Sequence, residues 1–172
     1  YLPVNEFGEI DLKELEKSIT DGTVMISIMM ANNEIGTIQD VKAIGEIAHR
    51  HDVIFHTDAA QAVGHIPVDV EKMSIDLMSF AAHKMYGPKG VGALYVRGVK
   101  PRVKPDGLFY GGGQERNIRS GTLNVPGIVG FGKAVEISQK EMGAENKRFS
   151  EWFKMMLEEF EKIGGVLNGH PT

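Results

Sequence analysis

The sequence predicts a mixed α/β fold built on a mostly parallel sheet, and three observations carry that expectation. The runs VMISIMMA (24–31), VIFHTDA (53–59) and IDLMSFAA (75–82) are apolar and of strand length, as strands buried on both faces are. Between the first two lies a stretch with helical periodicity, which makes a strand, helix, strand unit. A fourth run, VGALYVRG (91–98), follows the third too closely for a helical crossover, so it is expected to pair with it antiparallel.

Each element has a local reason. Asp11 followed by Glu14 in DLKELEKSI opens a short first helix, where an aspartate can accept from free N–H groups and Leu12, Leu15 and Ile19 recur at helical spacing. The first strand run ends at Asn32, Asn33 and Glu34. From Asp40 to His51, Val41, Ile44, Ile47 and Ala48 fall on one helical face. Residues 101–127 are rich in Gly, Pro and charge and hold no period, so they read as a long irregular loop of the kind that usually carries function. From Ile128 to Ile163 the pattern is helical again. Phe149, Trp152, Phe153, Met156, Leu157 and Phe160 form one stripe of it, expected to pack in the core, and Gly143 is the expected kink or break.

Composition narrows the classes of function. With 172 residues, 42% hydrophobic and 24% charged, the chain is long enough for one domain with a real core. A net charge of -4 with the signs intermixed offers no basic face, so neither nucleic acid nor an anionic membrane is expected as a partner. No apolar run approaches bilayer length, and YLPVNEFGEI is no signal peptide, which favours the cytoplasm. Cysteine is absent, so these residues carry no disulfide, thiolate metal site or cysteine nucleophile. Tyr1 in place of an initiator methionine, and an unfinished strand pattern at Val166 and Leu167, read as the marks of a fragment.

In an open α/β sheet, ligands bind outside the carboxyl ends of the strands. Three strand runs end there in polar residues: the first in Asn32 and Asn33, the second in Asp58 with Gln61 beyond it, the third in His83 and Lys84. Singly each has an ordinary explanation as a surface lysine, a cap, a loop former or a satisfied histidine. Together they match one chemistry. A lysine that condenses with an aldehyde cofactor must be rigidly held and partly desolvated. Pyridoxal phosphate, the usual such aldehyde, also needs a carboxylate for its ring nitrogen, a role open to Asp58. Its ring hydroxyl wants amide partners, available in Asn33 and Gln61, and its phosphate wants donors, available in His83, Ser120 and Thr122. Other motifs do worse. GPKGVG (87–92) lacks the spacing of a P-loop, GGGQER (111–116) does not open a helix after a strand, and His49 and His51 point to different sides of a helix, against a metal pair.

Residues 25–127 resemble the cysteine desulfurases of the NifS/IscS type, in the class V aminotransferase group of pyridoxal phosphate enzymes. MMANNEIGTIQD, FHTDAAQAVG, DLMSFAAHKMYGPKGVGALYV and GGGQERNIRSGTLN carry the likeness, which continues more weakly into the first and last helices. The resemblance implies the central part of the large domain of a fold-type I enzyme, with residues 1–163 in that domain and 164–172 opening a small C-terminal one. It implies Lys84 as Schiff-base lysine and later acid and base, Asp58 at the pyridine nitrogen, Asn33 and Gln61 near the ring hydroxyl, and His83 at the phosphate. Thr122 would reach the phosphate of the other subunit in a homodimer. Relatives commonly have serine where this chain has Ala81, which implies one phosphate hydrogen bond fewer.

The implied activity of the full protein is release of sulfur from L-cysteine as an enzyme persulfide, with L-alanine as co-product, for a sulfur acceptor such as an iron-sulfur scaffold protein. The family's upstream ring-stacking histidine and its sulfur-accepting cysteine lie outside these residues, so the fragment alone is expected to be inactive. Two alternatives stand beside this reading: a selenocysteine lyase or other class V enzyme, and an inactive relative acting as a binding scaffold. Against the second, a scaffold has no need of an intact Asn33, Asp58, Gln61 and Lys84 set.

Overall fold

The computed structural model describes residues 1–171 and resolves the expected alternation. Helix α1 spans Leu12–Ser18, strand β1 Met25–Met29, helix α2 Val41–Arg50, strand β2 Ile54–Asp58, strand β3 Leu77–Ala81, strand β4 Gly92–Val96 and helix α3 Val125–Lys162. A 3₁₀ turn, Ala82–Met85, follows β3 directly, and a second lies at Glu115–Asn117 in the long loop. The sheet order is β1-β2-β3-β4. β1, β2 and β3 are parallel, and β4 runs antiparallel to β3.

The caps are those the sequence calls for. Asp11 accepts from the N–H groups of Lys13 and Glu14, and Asp40 from that of Ala43, so both helices begin with donors satisfied. Glu14 does not close a reciprocal box but pairs with Lys17 at 2.6 Å. Asn124 caps α3, with proline in its first turn, where a missing N–H costs nothing.

Register sets the two faces of the sheet. Ile26, Phe55, Thr57 and Met78 point to one side and are buried with Ile44, Ile47 and Ala48 of α2. Each fully buried side chain such as Phe55 or Ile44 contributes about 1.5–3 kcal/mol of transfer free energy. On the other face, Ser27 pairs with His56, Met29 with Asp58, and Asp58 with Ser79, so polar groups lie side by side across three strands. A second, smaller core joins Ala82 and Met85 of the 3₁₀ turn to Phe131 and Ala134 of α3.

Two expectations about α3 require correction. The helix runs unbroken through Gly143, because a single glycine costs a helix interior only about 1 kcal/mol and the flanking residues are good helix formers. The aromatic stripe is also not core in this chain. Trp152 is 49% exposed and Phe160 54%, whereas the buried positions of α3 are Gly127, Phe131, Ala134 and Ser138. The seat of the helix is its first half, where small residues admit the turn after β3.

Candidate functional site at the strand ends

The parallel strands deliver their carboxyl ends to one edge. Met30 N–H donates to the Asp58 carbonyl at 2.8 Å and Ala59 N–H to the Ser79 carbonyl at 2.9 Å, which locks the last residues of β1, β2 and β3 in line. Asn33 follows β1, Asp58 ends β2 with Gln61 in the turn beyond it, and His83 and Lys84 sit in the turn after β3. Five of the six proposed site residues thus stand at consecutive strand ends. Thr122 stands apart, exposed in the loop before α3, and among the described residues no hydrogen bond ties it to the other five.

Asp58 is half-buried, and its Oδ1 accepts from the N–H of Ala60 at 2.9 Å, which orients the carboxylate and, among the described residues, leaves its other oxygen free of protein donors. Asn33, His83 and Lys84 are exposed and Gln61 is half-buried. Among the described residues, none of these four side chains spends its polar atoms on another protein group. One inward position before Asp58, His56 Nδ1 shares a hydrogen bond of 2.8 Å with Ser27 Oγ. Burial holds the His56 imidazole below its ordinary value, while the Asp58 carboxylate pulls the other way.

The lysine is carried on a rigid support. Ala82 N–H donates to Val91 O at 3.1 Å and Gly87 N–H to Ala82 O at 2.9 Å, while Tyr86 takes the left-handed conformation (φ 62°) that ends the turn. A Cβ on Gly87 would lie 2.9 Å from the Ala82 carbonyl oxygen and 3.1 Å from Ala134 Cβ, so a glycine is what lets the turn close against α3. The lysine amine therefore starts from a backbone fixed on two sides by β4 and α3.

Residues outside the site answer a different need. Buried Asp76 and Arg97, with half-buried His49 and exposed Glu71, form a polar cluster at the other end of the sheet, where the parallel strands begin. Sequence reasoning did not find it. A charged residue at each end of the β3–β4 hairpin, in otherwise apolar runs, was the available signal.

Comparison with known proteins places these features in a lineage. The model of the class-V aminotransferase family matches residues 1–172. A cysteine desulfurase IscS from Methanosarcina thermophila is 52% identical over 173 residues, covering 100% of this chain and 42% of that protein. The Homo sapiens cysteine desulfurase is 51% identical over 173 residues, covering 99% and 38%. Among solved structures, a NifS-like protein superposes with a TM-score of 0.90 at 43% identity, covering 95% of this chain and 45% of that one. The chain spans about two fifths of the length of these curated relatives. By the match along its whole length, and by a sheet that carries lysine and aspartate to the same edge, the chain belongs to the class-V aminotransferase family.

Proposed function

We propose that this chain supplies the cofactor-binding half of a pyridoxal 5'-phosphate-dependent cysteine desulfurase, with Lys84 as the lysine that attaches the cofactor. The observation that carries the reading is a half-buried, oriented Asp58 carboxylate at the end of β2 and Lys84 in the turn after the neighbouring strand β3, with Asn33, Gln61 and His83 at the same edge of the sheet and engaged by no partner among the described residues. That donor set fits the group: a primary amine, a carboxylate, two amides and an imidazole, each free to bind.

When bound, pyridoxal 5'-phosphate supplies an aldehyde for an amine and a protonated ring that draws electrons from a substrate carbon. The residues of this chain do the rest. Lys84 Nζ provides the attaching amine and afterwards takes and returns a proton at the substrate Cα. The Asp58 carboxylate holds a proton on the ring nitrogen through a charge-assisted hydrogen bond. Asn33 and Gln61 offer amide donors to the ring hydroxyl, and His83 offers an N–H to the phosphate. Thr122 serves the phosphate of a second subunit in a homodimer, which accounts for its distance in sequence and partners from the other five. On the same reading, residues 1–163 belong to the large domain and 164–172 open the small one.

The substrate is L-cysteine, whose sulfur passes to a cysteine thiol of the enzyme outside these residues, giving L-alanine and an enzyme persulfide for a sulfur acceptor such as an iron-sulfur scaffold protein, in the cytoplasm. Relatives named cysteine desulfurase, and a 46% identical solved structure described as SspA in complex with cysteine, favour this branch over selenocysteine lyase. The test is borohydride trapping of the full-length protein with pyridoxal phosphate, followed by peptide mapping. A single adduct on Lys84, lost in Lys84→Ala, is the expected result. Adducts scattered over surface lysines, or one that survives in the variant, would overturn the assignment.

A further inference from the structure

The carbonyl of Lys84 has a problem of local supply. It lies at the end of a 3₁₀ turn, where carbonyl groups lose their in-turn donors. The Gly87 N–H is already spent on Ala82 O, and residue 88 is a proline with no N–H to give. Solvent or another segment of the chain must supply the donor, and here the chain does: His65 Nε2 lies 2.7 Å from Lys84 O. Because a carbonyl oxygen only accepts, Nε2 carries the proton and donates.

Three further features hold the imidazole in that place. The His65 backbone N–H donates to Ala62 O at 3.0 Å, anchoring the loop after β2. Gly64 takes φ +88°, and a Cβ there would stand 2.8 Å from Met85 Cβ, so glycine allows the loop to lie directly on the lysine turn. The ring then meets Tyr86 edge-on, with centroids 6.2 Å apart.

We infer that His65 is a positioning residue for Lys84: its imidazole N–H closes the end of the 3₁₀ turn and fixes the backbone from which the lysine amine reaches the cofactor. This rests on the reading of Lys84 given above. The ordinary alternative is a surface hydrogen bond without effect on the lysine. Removing the donor alone separates the two, because only a positioning role carries the loss through to the cofactor.

The experiment compares the full-length parent with His65→Ala, His65→Phe and His65→Gln. Phenylalanine keeps the ring and its contact with Tyr86 but has no donor, whereas glutamine can place an amide N–H near the same point. The readouts are the dissociation constant for pyridoxal phosphate and hydrogen exchange of peptide 81–91 in the cofactor-free protein. Loss of one such bond predicts affinity weakened about three- to tenfold in the Ala and Phe variants. Exchange should accelerate in step, and His65→Gln should recover both to within about twofold. If the Ala variant fails to fold, the Phe and Gln pair decides.

Lys84→Ala run in parallel separates the two levels of inference. A trapped adduct that persists in it overturns the reading of Lys84 and this proposal with it. An adduct lost in Lys84→Ala, together with a Phe variant that binds and exchanges like the parent, overturns the role of His65 alone. Failure of glutamine to restore binding and exchange also counts against that role.

Discussion

Arg97 Nε lies 3.0 Å from Asp76 Oδ1, with the arginine side chain 5% exposed and the aspartate fully buried. The aspartate is saturated. Its Oδ2 accepts from Phe55 N–H at 2.9 Å and both oxygens lie 3.0 Å from His49 Nε2, while Arg97 also donates to Val70 O and Glu71 Oε2. This cluster ties α2, the start of β2, the start of β3 and the end of β4 into one knot, at the end of the sheet away from the lysine.

Removing one member of the knot strands the others. Asp76→Asn is expected to cost about 3–5 kcal/mol, because the buried guanidinium then keeps only the exposed Glu71 as a charge partner, and Arg97→Met should cost a similar amount. The double variant should cost clearly less than the sum, since each change removes the penalty left by the other. Equilibrium urea unfolding of the three variants measures this. Strict additivity would mean that the two side chains do not act as a pair.

Thr57 offers the opposite case. It is fully buried on the α2 side of β2, and its Oγ1 is, among the described residues, the buried side-chain polar atom without a hydrogen-bond partner. Valine has the same branched shape without the hydroxyl. Thr57→Val is therefore expected to stabilise by about 1 kcal/mol, the cost of an unsatisfied buried hydroxyl. A shift of the urea midpoint to lower concentration would show that the hydroxyl is satisfied in solution.

These two sites show where reading along a chain stops working. The strands were legible because each is a short apolar run closed by polar residues, and the site edge followed from the rule that parallel strands end together. The direction of β4 followed from the shortness of the connection after Ala81. Asp76 with Arg97, and His65 with Lys84, are contacts between segments far apart in the chain, and no periodicity announces them. The stripe at Phe149–Phe160 misled for a physical reason: an apolar face states that something must cover it, and says nothing about which segment does. In this chain the packing falls instead to Phe131 and Ala134, at the small-residue end of the helix.

Asp58 is held by the Ala60 N–H, so a change of charge without a change of shape tests its electrostatic part alone. On the function proposed above, Asp58→Asn in the full-length protein should retain bound pyridoxal phosphate while turnover of L-cysteine falls about ten- to a hundredfold, the worth of one charge-assisted hydrogen bond. Cofactor content and alanine release measured on the same preparation separate the two effects. Turnover equal to the parent would remove Asp58 from the ring nitrogen.

His56 makes the pH dependence of folding directional. Burial lowers its folded-state value below the ordinary 6.5, against an upward pull from Asp58, so the unfolded chain takes up this proton first as the pH falls. Stability rises with pH wherever the unfolded state binds more protons. The contribution of His56 is therefore fully present above about pH 6.5 and is lost as the pH falls through the lower folded-state value. Glu16, bonded to Arg50 and His51, is held below the ordinary carboxylate value of 4.5, so its own contribution persists until the pH drops through that lower range. Urea midpoints taken between about pH 7.5 and 5 should decline in the parent and flatten in His56→Asn, which keeps a partner for Ser27 Oγ but cannot be protonated in this range. An identical slope in both proteins would assign the titration to another histidine.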